Sequence, residues 1–117
     1  MKQNILKEKS FMFAVRIVNL YRHLCNEKKE FVLSKQALRS GTSAGAMVRE
    51  AEHSESKADL IHKMAIAQKE TREIIYWQYL MCETEYLSRK EFESINSDAK
   101  ILTSSIKTAK STLTINN

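Results

Sequence analysis

A chain of 117 residues is the length of one domain and can bury a core without disulfide staples. With no proline and only two glycines, it lacks the turn residues that an all-β fold needs every few positions, so long helices are the natural solution. The net charge of +5 is modest: it suits a nucleic-acid or anionic partner, and equally well serves solubility alone.

The excess charge is unevenly placed, with +4 on residues 1–30, +1 on 31–53, −2 on 54–86 and +2 on 87–117. Cys25 and Cys82 are too few and too isolated for a disulfide framework or a zinc site, and read as small core side chains in a reducing compartment. The apolar run Phe11–Val15 is broken by Arg16, too short for a membrane span or a secretory leader. A cytoplasmic protein with no membrane contact is expected.

The first predicted helix spans residues 10–27. Phe11, Ala14, Val15, Val18 and Cys25 recur on one face, and Phe13, Ile17, Leu20 and Leu24 on another; Met12, Arg16, Asn19 and His23 mark the watery side. A charged connection, Asn26 to Glu30, follows. The second helix is predicted over 34–53 with Ser34 as its N-cap. Its middle, Ser40-Gly-Thr-Ser-Ala-Gly-Ala46, has poor helix propensity and could form a flexible loop. A helix is preferred, because Gly41 and Gly45 fall i, i+4 apart beside Ala37, Ala44 and Val48. That stripe of small residues lets another helix come close. The Ser-Gly-Thr-Ser run lacks the pattern and the preceding strand of a phosphate loop.

The third helix is predicted over 57–86, opened by a capping box of Ser56 and Asp59. Leu60, Met64, Ala67, Thr71, Ile74, Gln78 and Met81 form a stripe of bundle-core spacing, with Ile66, Trp77 and Leu80 on a separate patch. The fourth is predicted over 89–113, opened by Ser88 and Glu91. Phe92, Ile95, Ala99, Leu102, Ile106, Ala109 and Leu113 keep three-four spacing throughout, and 114–117 form a polar tail. Four helices joined by short connections predict an all-α, up-and-down four-helix bundle occupying residues 1–117 as one domain.

No catalytic set emerges, so the chain is expected not to be an enzyme. Di-iron bundles need two Glu-x-x-His pairs and two further inward carboxylates. Only Glu50 and His53 make such a pair, beside a helix break, and neither a metal nor another cofactor is expected. Arg39, Glu50, Lys69, Glu70 and Glu73 lie near apolar stripes. They form either a solvated rim, with Lys69 and Glu73 as an i, i+4 pair, or, as preferred here, an ion network fixing register between helices or subunits. Phe13, Ile17, Leu20 and Leu24, together with Ile66, Trp77 and Leu80, would be a costly exposed patch on a monomer, which predicts a homo-oligomer.

The stretch from Leu38 to Ala51, LRSGTSAGAMVREA, and the later Ile66–Trp77, IAQKETREIIYW, resemble the signature of a bacterial family: four-helix bundle proteins encoded in intervening sequences of 23S ribosomal RNA genes. The likeness covers nearly the whole chain. It departs at Ala44, where a larger aliphatic residue is common, and at Met47, where asparagine is common. The resemblance implies a left-handed bundle assembled as a ring, a homopentamer, and relatives that serve retroelements by engaging a reverse transcriptase and nucleic acid. The matching positions are Arg39, Arg49, Glu50, Lys69, Glu70, Glu73, Tyr76 and Trp77, expected to be structural or interfacial.

The functional expectation is a non-catalytic oligomeric bundle that binds structured RNA or DNA through Arg16, Arg22, Lys28, Lys29 and Lys35. No base-reading motif is present, so recognition would be of shape or charge. The competing expectation is a protein-interaction scaffold without nucleic-acid affinity.

Overall fold

The structure, a computed structural model, describes residues 2–115, with side chains placed from 5 to 113. Four helices account for nearly all of it: α1 (Lys2–Asn26), α2 (Leu33–Glu50), α3 (Lys57–Glu83) and α4 (Arg89–Ile115), with a 3-10 turn at Ala51–His53. No strand occurs among the described residues. The helices pack as a four-helix bundle of 48 × 21 × 20 Å, somewhat longer than the roughly 40 Å of a 27-residue helix at ~1.5 Å per residue. Helix α1 touches α2 and α4, and α3 touches the same two, so α1 and α3 are diagonal partners. The α1–α4 pair is the loosest of the four.

The core follows the helical periodicities. Met64, Ala67, Ile74 and Met81 of α3 and Ile95, Ala99, Leu102 and Ile106 of α4 are buried together with Ala37 and Val48 of α2. The row Leu6, Phe13, Ile17, Leu20 and Leu24 supplies α1's share. This corrects the expectation that Phe13, Ile17, Leu20 and Leu24 are surplus: they are the monomer's own core. The same row begins at Leu6, so α1 starts at Lys2 and not near Ser10. Helical spacing identifies two apolar faces on α1 but not which of them turns inward.

Close approach decides it. An added Cβ at Gly41 would lie 2.8 Å from Ile17 side-chain atoms, and one at Gly45 3.2 Å from the Ser10 carbonyl oxygen. A side chain would collide at Gly41 and be tightly squeezed at Gly45, so α1 seats closely on this segment, which is helical as preferred. The later glycine meets the earlier α1 residue, so α1 and α2 run antiparallel.

Helix ends are set by side chains. Ser56 accepts from the Asp59 N–H at 3.0 Å, while the Asp59 carboxylate accepts from the Glu55 N–H. Ser88 and Glu91 exchange both bonds of a capping box, at 2.8 and 3.1 Å. Ser34 departs from expectation. It is fully buried and its hydroxyl donates to the Glu30 carbonyl at 2.8 Å. The cap is instead the Glu30 carboxylate, which accepts the backbone N–H groups of Val32, Leu33 and Ser34 at 2.7–3.1 Å. Burial opposes ionisation of Glu30, but the three backbone donors and the Ser34 side chain outweigh it and hold the carboxyl below its ordinary value.

Helix α3 ends at Glu83, three residues before the expected end, because Glu85 turns into the left-handed region (φ 69°) and the Tyr86 and Leu87 N–H groups both close onto the Met81 carbonyl. Helix α4 runs two residues past its expected end, through Thr114 and Ile115; Asn116 and Asn117 of the expected polar tail lie outside the described residues.

Candidate assembly and nucleic-acid surface

Five of the eight motif residues on α2 and α3 form one network. The Arg39 guanidinium donates to Glu70 at 3.1 Å, to Glu73, and weakly to Gln36 at 3.3 Å. The Trp77 indole N–H also reaches Glu73, at 3.3 Å, and Tyr76 meets the Trp77 ring edge-on at 5.2 Å. Glu70 is nearly sealed from water, whereas Arg39 stays half exposed. Of the preferred ion network, the Arg39, Glu70 and Glu73 part forms within one chain and ties α2 to α3, while Glu50 and Lys69 do not join it. Glu73 is taken by Arg39 and Trp77, so the alternative i, i+4 pairing with Lys69 does not form. Arg49 stands apart from the network, over the Phe11 ring at 5.3 Å. Glu50 and Lys69 are exposed on the surface.

The five candidate contact cations divide. Arg16 is committed to the α1–α4 seam, where it donates to Asp98 at 2.6 Å and to the Ser94 hydroxyl at 2.6 Å. Arg22, Lys28, Lys29 and Lys35 are exposed at the end of the bundle where α1 turns into α2. Lys28 faces acidic company there, lining a shallow cleft with Glu83, Glu85 and Glu91. The Glu91 carboxyl is held low mainly by the Ser88 N–H, against the opposing effect of burial, with smaller help from the Ser88 hydroxyl and from the charges of His23 and Lys28. The positive field at this end is thus diluted by its own glutamates.

Apart from Phe31 and Val32 at the α1–α2 turn, the large apolar side chains left exposed sit on opposite sides. Ile5, Phe11, Met12 and Val15 protrude from α1 and Ile101 from α4, while Tyr76 and Tyr79 protrude from α3. Along the loose α1–α4 seam a groove of about 710 Å³ is lined by Ile5, Met12, Phe13, Val15, Ile101 and Leu102. Of the α3 patch expected to be surplus, Trp77 packs partly on the core and Ile66 and Leu80 are half-buried. Sequence reasoning missed Ile5, Ile101 and the groove. Their signal is the pair of outward residues flanking each core row, which becomes readable only once the core row is known.

Among the described residues no cluster of three or more His, Cys, Asp or Glu side chains could hold a metal. Glu50 and His53 are both exposed. No helix is long and apolar enough to cross a membrane among the described residues.

These features define an all-helical bundle whose distinctive surfaces are apolar faces and scattered cations. The family model described as 23S rRNA-intervening sequence protein matches residues 2–108, and the chain belongs to that family. A solved structure from Bacteroides thetaiotaomicron, described as a protein with unknown function from the S23 ribosomal protein family, superposes with a TM-score of 0.93 at 53% identity, covering 95% of this chain and 99% of that one. No curated protein matches the chain.

Proposed function

We propose that this protein is a non-catalytic, self-assembling, cytoplasmic bundle that engages structured RNA or DNA through its basic surface, and that its copies form a ring of five. The bundle is read as up-and-down and left-handed. The observation that carries the proposal is the placement of the exposed apolar side chains. Most lie on α1 with the α1–α4 seam or on the diagonally opposite α3, with Phe31 and Val32 apart at the α1–α2 turn. Two unlike patches on opposite sides suit a head-to-tail interface, which closes into a ring when the rotation allows. Five copies of a +5 chain carry about +25, enough to turn a weak field into one that attracts phosphate.

The experiment is binding of purified protein to labelled ribosomal RNA fragments and to an unrelated duplex across a salt series. Affinity that weakens steeply with salt is expected; no binding at low salt overturns the nucleic-acid part. The groove of about 710 Å³ favours a second reading, a protein-interaction scaffold that receives a helix from a reverse transcriptase or other protein. In that case the charge serves solubility alone.

A further inference from the structure

The outer face of α4 carries a basic row that neither the bundle core nor the ion pairs use. Ser97, Lys100, Ser104, Lys107 and Ser111 are spaced three, four, three and four residues apart, so they stand on one stripe, and all five are exposed. The stripe is about 20 Å long and its two lysines lie about 10 Å apart. Lys100 and Lys107 have no ion-pair partner among the described residues. The three serine hydroxyls on the stripe are likewise unbonded there. Hydroxyls elsewhere on α4 behave differently: Thr103, Ser105 and Thr112 each donate to the carbonyl four residues back, at 2.7–3.0 Å.

The same row begins with an acid, Glu93, exposed one turn before Ser97 and about 10 Å from Lys100, so the positive stretch starts beyond it. No acid occurs from residue 99 to the last, and Asp98 is turned towards α1, where Arg16 holds it. A third cation joins from α3. The turn of residues 84–88 makes α3 and α4 antiparallel, and Tyr79 packs on Phe92 at 5.9 Å. Two turns back along α3 from Tyr79 stands Arg72, exposed and without a partner among the described residues. Two turns on from Phe92 stands Ala99, so Arg72 is level with Lys100.

We infer that this α3–α4 face, and not the α1–α2 turn, is the surface that holds nucleic acid, and that its ligand is double-stranded RNA. The inference rests on the nucleic-acid reading proposed above. A straight convex ridge of cations alternating with free hydroxyls matches a phosphate backbone carrying 2′-hydroxyls. The wide, shallow minor groove of an A-form duplex presents both groups to such a ridge. The α4 stripe itself carries no aromatic, and the exposed ring beside it, Tyr79, is engaged with Phe92, which argues against a single-strand stacking platform.

The test uses the full-length protein and a labelled RNA duplex of about 16 base pairs, with a DNA duplex of the same sequence, the single strands and anionic lipid vesicles alongside. Lys100→Ala/Lys107→Ala should make the slope of log affinity against log salt shallower by about two, with helicity and solution mass unchanged. Lys28→Ala/Lys29→Ala should leave the slope alone, and Ser97→Ala/Ser104→Ala/Ser111→Ala should lower the preference for RNA over DNA. Loss in the Lys28/Lys29 variant with none in the Lys100/Lys107 variant overturns this inference and leaves the nucleic-acid reading standing. Equal affinity of the wild type for both duplexes, or Lys100- and Lys107-dependent capture by vesicles in place of RNA, overturns it too. Failure of the wild type to bind any nucleic acid at low salt overturns both.

Discussion

Single side chains set the limits of this structure. Glu30 is a buried carboxylate that caps α2 with three backbone donors. Because its folded pKa lies below the unfolded value, its contribution is complete above the ordinary glutamate value of 4.5 and is lost as pH falls through the folded value. Glu30→Gln should cost about 1–2 kcal/mol at neutral pH, and urea melts should show the gap from wild type closing in acid. Gly41→Ala should also destabilise. The new methyl group would collide with the fully buried Ile17, costing about 1–3 kcal/mol against a gain of about 1 in helix propensity. Gln78 is the opposite case: it is fully buried and neither amide atom has a partner among the described residues. Gln78→Met should raise stability by about 1–3 kcal/mol in the same assay.

At the scale of elements, helix spacing and caps were legible in the sequence. The α3 and α4 core rows and the Ser56 and Ser88 caps stand as read, because three-four periodicity and local capping are properties of one segment. Facts that need two segments were harder to read. Glu30 caps from outside the expected helix start, where Ser34 has the favoured cap identity but lies in the core. On α1 both faces are apolar, and only the contact with Gly41 and Gly45 shows which is inside. The candidate cations illustrate the same limit, since sequence counts Arg16 and Lys28 as free charges while the fold sets them beside Asp98 and Glu91. Between elements, the Arg39 network is the chief polar tie of α2 to α3. Arg39→Ala would leave Glu70 buried without its cation, and a loss of about 1–3 kcal/mol is expected in thermal or urea unfolding. Arg39→Lys should restore only part, since one ammonium cannot reproduce the guanidinium fork that spans Glu70 and Glu73.

For the whole molecule, the question is what covers the outward apolar faces. Ile5, Phe11, Met12 and Val15 on one side, and Tyr76 and Tyr79 on the other, are too many large side chains to leave in water without consequence. Charge is spread more thinly, so any nucleic-acid affinity should depend on copies acting together. A variant that blocks assembly should therefore lose RNA binding out of proportion to the charge it changes. Assembly is the claim on which the rest turns, and mass in solution tests it most directly. Light scattering or native mass spectrometry at micromolar concentration should give five times the chain mass of 13.5 kDa for the wild type. The Val15→Glu variant, which puts a charge on the exposed face without touching the core, should give a folded species of lower mass. A folded wild-type protein that stays monomeric at that concentration would contradict the account.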